Sequence, residues 1–183
     1  MISPSENDVL DSSEWHTETD RIGLRTFDKR DLDLFLEYRN DPEIARLQGW
    51  ELPYTEAEAH EFFEDLSRIP PGTPGEWHQF AVVDKTTGVT VGDVGLHVRP
   101  ADPLIADVGY TIARRYQRRG YATEAVGAII EFAFDVVGVS TVLANALAEN
   151  EASRAVAERV GMALDKQWWS NDGEELVRYS IIN

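Results

Sequence analysis

Cysteine is absent from the 183 residues, so disulfides, thiolate metal sites and a cysteine nucleophile are excluded. No apolar run approaches the ~20 residues that cross a bilayer, and the first twenty residues are acidic where a secretory leader is basic. Positive charge is scarce: 17 Lys and Arg stand against 33 Asp and Glu, a formal net charge of −16. A surface so negative repels nucleic-acid phosphates and anionic lipid and attracts cations, so an amine, polyamine, aminoglycoside or basic peptide fits it as a partner. Simple solubility accounts for the charge equally well. The four histidines, at 16, 60, 78 and 97, show no H-E-x-x-H spacing and support no Ser-His-Asp arrangement, so no metal is expected. No G-x-G-x-x-G opens a helix and no G-K-[ST] occurs, which removes the commonest nucleotide motifs.

With 43% hydrophobic and 27% charged residues, the chain reads as one soluble α/β domain with a sizeable core and a cytoplasmic setting. Residues 1–20 carry no lysine or arginine and read as a loosely ordered acidic tail pinned by Trp15; the domain proper is expected over 21–183. Ile22, Leu24 and Thr26 alternate as a strand. A helix capped by Asp28 or Asp31 follows, with Leu32, Phe35 and Leu36 inward, and Asp41-Pro42 opens another. Thr55-Glu56-Ala57-Glu58 is a capping box, and Pro70-Pro71-Gly72 ends the helix it starts. Strands are expected over 77–83 and 89–98, with Gly92 and Gly95 marking a bulge or a close backbone approach. Further strands read over 108–112, 141–147 and 176–182, the last after a Trp168-Trp169 loop and an Asn171-Asp172-Gly173 turn.

The most informative stretch is Gln117-Arg118-Arg119-Gly120-Tyr121-Ala122. Before it, Val108, Tyr110 and Ile112 alternate as a strand. After it, Ala122, Ala125, Val126, Ile129, Ile130, Ala133 and Val137 recur at helical spacing until Gly138. The hexapeptide is therefore a strand-to-helix turn. Its first helical N–H groups lack intrahelical partners, the helix dipole adds positive potential, and Gly120 and Ala122 leave the backbone approachable. Arg118 and Arg119 add charge at the rim. This combination suits a diphosphate, although a turn with surface arginines satisfies the same residues.

The hexapeptide fits the Q/R-x-x-G-x-G/A signature of the GNAT acetyltransferases. About thirty residues later, Asn150-Glu151-Ala152-Ser153 and the helix ending at Gly161-Met162 resemble the family's second motif. The run from Asp107 to Met162 is similar to the branch that holds the ribosomal-protein N-terminal acetyltransferases. The resemblance implies a mixed, mostly antiparallel sheet splayed between its fourth and fifth strands, helices on both faces, and acetyl-CoA as cosubstrate. It places Ile112 on the pantetheine arm, Gln117, Arg118, Arg119, Gly120, Tyr121, Ala122 and Thr123 around the diphosphate, and Asn150 either on pantetheine or capping its own helix.

For acetyl transfer to an amine by direct attack, the resemblance makes Asp107 the first candidate proton acceptor, with Glu51 and Glu175 less favoured. Relatives use a tyrosine seven residues after the motif asparagine to protonate the thiolate. Ala157 stands there; the ribosomal-type resemblance implies a serine three residues after the asparagine as substitute donor, a place that Ser153 occupies, with a first-turn serine satisfying a spare backbone group as the alternative. Trp50, Glu51 and Tyr54, in an aromatic loop, and His78, on a strand, are candidate acceptor contacts, packing being the alternative for each. The expected acceptor is a protein or peptide N-terminus, with a small cationic amine as the second reading and a non-catalytic acyl-CoA-binding domain as the third. A homodimer is a family-level expectation.

Overall fold

A computed structural model describes residues 15–183. Most of the expected acidic tail lies outside the described residues. Its last part joins the sheet: Thr17–Glu18 (β1) pairs with Ile22–Arg25 (β2), and the Trp15 ring lies over Gly23, where any side chain would collide with it. Eight strands form one sheet in the order β1-β2-β3-β4-β5-β6-β8-β7. The remaining strands are Trp77–Asp84 (β3), Val89–Val98 (β4), Ile105–Ile112 (β5), Thr141–Leu147 (β6), Ala163–Trp169 (β7) and Glu175–Ile182 (β8).

Every pairing is antiparallel except β5 with β6, which are joined through the helix Tyr121–Phe132 (α4). Parallel neighbours need such a crossover. On this face α4 and Glu151–Arg159 (α5) cover a core that includes Phe80, Val94, Leu96, Val108, Val126, Ile129 and Val142. On the other face Leu32–Arg39 (α1), Pro42–Gln48 (α2) and Glu56–Arg68 (α3) pack Phe27, Phe35, Tyr38, Ile44 and Phe63 against Ala81 and Val83. The helices thus lie on both faces, as the period-two alternation of the strands requires.

The local starts follow their caps. Asp28 and Asp31 form a reciprocal capping box before α1, Asp41 accepts from the N–H groups of Glu43 and Ile44 with Pro42 at the first helical position, and Thr55 with Glu58 caps α3. Helix α4 widens into a π-type turn over Ala133–Val137, which Gly138 closes at φ 83°. Two expectations change. Leu34 and Tyr38 join Phe35 in the core, while Leu32 and Leu36 are only partly covered. Trp168 and Trp169 belong to β7 rather than to a loop. Aromatic residues fit a pleated edge strand, and Asn171-Asp172-Gly173 then makes the β7–β8 turn.

Gly92 answers to both readings offered for it. The β3–β4 register slips there, Val82 facing Gly92 and Val83 facing Thr90, so Val91 is an extra residue. A Cβ on Gly92 would sit 2.1 Å from the Thr111 carbonyl oxygen. Only glycine lets β4 approach β5 so closely.

Candidate active site

Strands β5 and β6 face one another over four register pairs, from Ile105 with Thr141 to Val108 with Ala144. Beyond that point they part. Strand β5 stays with β4 as far as Ile112 opposite Gly92, and β6 stays with β8 as far as Leu147 opposite Leu176. The divergence opens a cleft of about 530 Å³, lined by β5, the turn into α4, β6, α5 and the end of α2.

Backbone groups dominate one end of the cleft. Arg118 takes φ 61° and Gly120 φ 84°, so the chain coils tightly before α4 begins. Among the described residues, no N–H from Arg118 to Thr123 donates to a protein acceptor; the first bond of the helix is Glu124 N–H to Gly120 C=O at 3.1 Å. Six consecutive donors thus lack a partner among the described residues, at the positive end of a helix dipole, where phosphate is readily bound. Tyr121 is anchored from below by its hydroxyl on the Asp84 carboxylate. Arg118 and Arg159 line the cleft without a carboxylate partner among the described residues. Arg119 is not in the lining itself; its guanidinium lies 5.7 Å from the ring centre of Tyr116, which is. Arg114 is held by Asp41 and Glu43, and Arg21 by Glu124. The residues therefore fit a diphosphate with a further phosphate near Arg118 or Arg159.

In the opened part of β5, side-chain amides replace the missing strand. Gln117 Nε2 donates to the Ile112 carbonyl at 2.9 Å, and Gln48 Nε2 donates to the Tyr110 carbonyl and to Thr111 Oγ1, each at 2.9 Å. An amide-bearing chain laid along this edge meets backbone groups already turned toward it. Asn150 accepts from Ser153 N–H at 3.0 Å and so caps α5, while still lining the cleft. Ser153 Oγ donates to the Tyr110 hydroxyl at 2.9 Å, and that hydroxyl donates to the Ser153 carbonyl at 2.8 Å. Burial raises the Tyr110 phenol above its ordinary value.

The remaining candidates lie elsewhere. Asp107 is nearly buried outside the cleft lining; Arg99 engages both its oxygens, at 2.7 and 2.8 Å, and Asn145 adds a third donor at 3.2 Å. Two donors of Arg99 and one of Asn145 occupy the oxygens that a proton acceptor would present, and Asp107 does not line the cleft. Trp50 and Tyr54 sandwich the Arg39 guanidinium, 3.8 and 4.4 Å from their ring centres, and pack on the second core. Glu51 is exposed in the same loop, and Glu175 accepts from Gln167. None of these four lines the cleft.

For His78 the packing alternative holds in place of an acceptor contact. It is 2% exposed, its Nδ1 lies 2.9 Å from the Ile69 carbonyl, and its ring tilts against Phe80. The strand register points it into the core under α4, and burial lowers its pKa to about 4. A second buried group, Asp93, is raised to about 6 by burial and accepts from the Tyr38 hydroxyl at 2.6 Å.

Sequence reasoning missed Tyr110, Gln48 and Arg159. Tyr110 and Ile112 share one face of β5, so the cleft position of Tyr110 was readable once Ile112 had been placed there. Nothing local marks Gln48, because its partners lie more than sixty residues away. Among the described residues no group of histidine, aspartate and glutamate side chains is arranged to hold a metal, and no helix is long and apolar enough to cross a membrane.

Comparison with known proteins agrees with this geometry. The sequence model of the Acetyltransferase (GNAT) domain matches residues 21–163. An uncharacterized N-acetyltransferase, p20, from Bacillus licheniformis is 25% identical over 136 residues, 74% of this chain and 75% of that one. Spermidine N-acetyltransferase from Vibrio cholerae, solved with CoA and spermine, superposes with a TM-score of 0.76 at 16% identity, covering 90% of this chain and 96% of that one. RimL, a ribosomal L7/L12 α-N-protein acetyltransferase solved with coenzyme A, gives a TM-score of 0.74 at 16% identity over 90% and 95% of the two chains.

Proposed function

Since the chain belongs to the GNAT acetyltransferases and is an acetyl-CoA-dependent N-acetyltransferase, we propose that its acceptor is the free α-amine of a protein or peptide, acetylated by direct attack within a ternary complex in the cytoplasm. The observation that carries the reading is the gap between β5 and β6, bordered by the exposed side chains of Gln48, Glu43 and Asn145. An open border admits the end of a polypeptide, whose remaining residues lie outside. The likeness to RimL supports the same acceptor class.

In this reading the Arg118–Thr123 amides hold the diphosphate, and the β5 edge at Tyr110 and Ile112 takes the pantetheine amides. The thioester then lies where the strands part, beside Ser153. The amine attacks the thioester carbon, the C–S bond breaks, and the sulfur takes a proton from the hydroxyl side of the cleft. Among the described residues Glu43 is the one carboxylate in the lining, and Arg114 already holds it, so in this reading the amine's proton leaves to water. Holding the two reactants together supplies several kcal/mol of the acceleration, on the order of 7–11 at best.

A small polyamine is the second reading, favoured by the net charge of −16 and the likeness to the spermidine enzyme. The test is a thiol-release screen with acetyl-CoA against short peptides with free or blocked α-amines, spermine and an aminoglycoside. Turnover of free but not blocked peptides supports the proposal. Turnover of spermine alone replaces it with the second reading, and CoA binding without turnover of any amine points to a binding domain.

A further inference from the structure

The hydroxyl pair formed by Tyr110 and Ser153 joins the two sides of the cleft. Tyr110 leaves β5 two residues after the last pairing with β6, crosses the gap, and meets the first turn of α5. It makes two bonds there, one given and one received. That geometry has a chemical consequence, because a hydroxyl carries a single proton. With the Ser153 proton directed at Tyr110 and the Tyr110 proton at the Ser153 carbonyl, neither is aimed into the cleft. Rotation of the Tyr110 O–H from the carbonyl to Ser153 Oγ reverses the bond between the hydroxyls and frees the serine proton for a third partner. Both groups line the cleft, so that partner can be a ligand atom.

We propose that Tyr110 is a positioning residue acting through Ser153, the two hydroxyls forming one unit that delivers a proton to the coenzyme's sulfur. The proposal rests on the reading of the cleft as an acetyl-CoA site. As the C–S bond breaks, its electron pair goes to sulfur, which takes the Ser153 proton. The Tyr110 proton moves to Ser153 Oγ, and the phenolate recovers a proton from the one that the amine loses on acylation, carried by water in the cleft. Overall, amine and thioester become amide and thiol with no net proton change. The raised phenol pKa keeps the phenolate from accumulating, so the second transfer and the recovery are tightly linked. Asn150 fixes the serine end by holding its N–H.

The experiment reads the sulfur rather than turnover. The chain has no cysteine, so in a complex with CoA the coenzyme's thiol is the sole thiol present. Its pKa follows from the pH dependence of alkylation by iodoacetamide, scored by mass spectrometry, in the wild type, Tyr110→Phe, Ser153→Ala and the double variant. A donor pair aimed at sulfur stabilises the thiolate, so the bound thiol should ionise about one unit below free CoA. Each single variant should return most of that shift, and the double variant no more than either single one. Should Tyr110→Phe lose its fold, 3-fluorotyrosine at position 110 alters the acidity of the phenol alone and should move the thiol pKa.

Wild-type titration like free CoA overturns the proton-delivering pair while leaving CoA binding intact. A Tyr110 change without effect, beside a shifted Ser153→Ala, makes the tyrosine a strut and overturns its part. Absence of CoA binding by calorimetry removes the reading of the cleft itself, and the pair with it. Failure of every amine in the screen, with the thiol shifts as expected, supports the contact of the pair with sulfur and overturns the acetyl-transfer reading in favour of a binding domain.

Discussion

The two sides of β5 solve their polar requirements in opposite ways. Toward α4 and α5, donors are left bare: among the described residues six consecutive N–H groups have no acceptor, with Arg118 and Arg159 beside them. Toward α1–α3, polar groups close on one another. Arg99 holds Asp107, Tyr38 holds Asp93, aromatic rings sandwich Arg39, and Gln48 reaches Thr111. Buried polar groups normally find partners within the protein. On the α1–α3 side Arg39 Nε and Gln79 Oε1 are nevertheless buried without one among the described residues, whereas the bare N–H groups belong to a turn whose residues 117–120 are exposed, so the contrast is between a turn open to a ligand and side chains packed against the core.

The comparison breaks most readily at Gly120. Glu in its place, with its charge beside a diphosphate, should lower CoA affinity about a hundredfold or more by calorimetry, while the strain of a side chain at φ 84° costs the free protein only about 1–2 kcal/mol. Tyr38→Phe should do the reverse. Asp93 loses its donor, chemical denaturation should report a loss of about 1–3 kcal/mol, and CoA affinity should hold.

Acidification sharpens the contrast between two buried groups of opposite sign. Burial lowers the His78 pKa in the folded chain to about 4 from an ordinary 6.5, so between those values the unfolded chain binds the extra proton and stability falls as pH falls. Asp93 titrates near 6 against 3.8, so across that interval the folded chain binds the extra proton and stability rises as pH falls. Melting temperatures from pH 7 to 4 should therefore drop less steeply than His78 alone dictates. Asp93→Asn should steepen the drop, and His78→Gln should shallow it. The smallest effect is expected from Asp107→Asn. Its ion pair with Arg99 is part-exposed and worth about 1 kcal/mol or less, and the pH–rate profile should keep its shape.

The same contrast explains what could be read without coordinates. The turn proposed to take the diphosphate announces itself in consecutive residues, because a backbone site needs glycine and small side chains at fixed places next to a strand and a helix. Caps at Asp41, Thr55 and Asn150 and the crowding at Gly92 are likewise local. The far side is assembled from pieces: Asp107 finds Arg99 across a loop, and Asp93 finds Tyr38 fifty-five residues away. No spacing rule reports such meetings. His78 shows the remaining source of error. Its strand was legible, but which of the two faces it took depended on a register that β4 and its bulge set.

Pairing between β5 and β6 ends after four residues, and this gives the sheet a mechanical character. Strands β1–β5 and β6–β8 behave as two panels joined along a short seam, with α4 as a strap across it. A molecule seated where the panels diverge grips both, in the manner of a rivet. Coenzyme binding and resistance to opening of the molecule are then a single property, and the hydrogen exchange that slows most on binding should be that of the strand pair next to the seam.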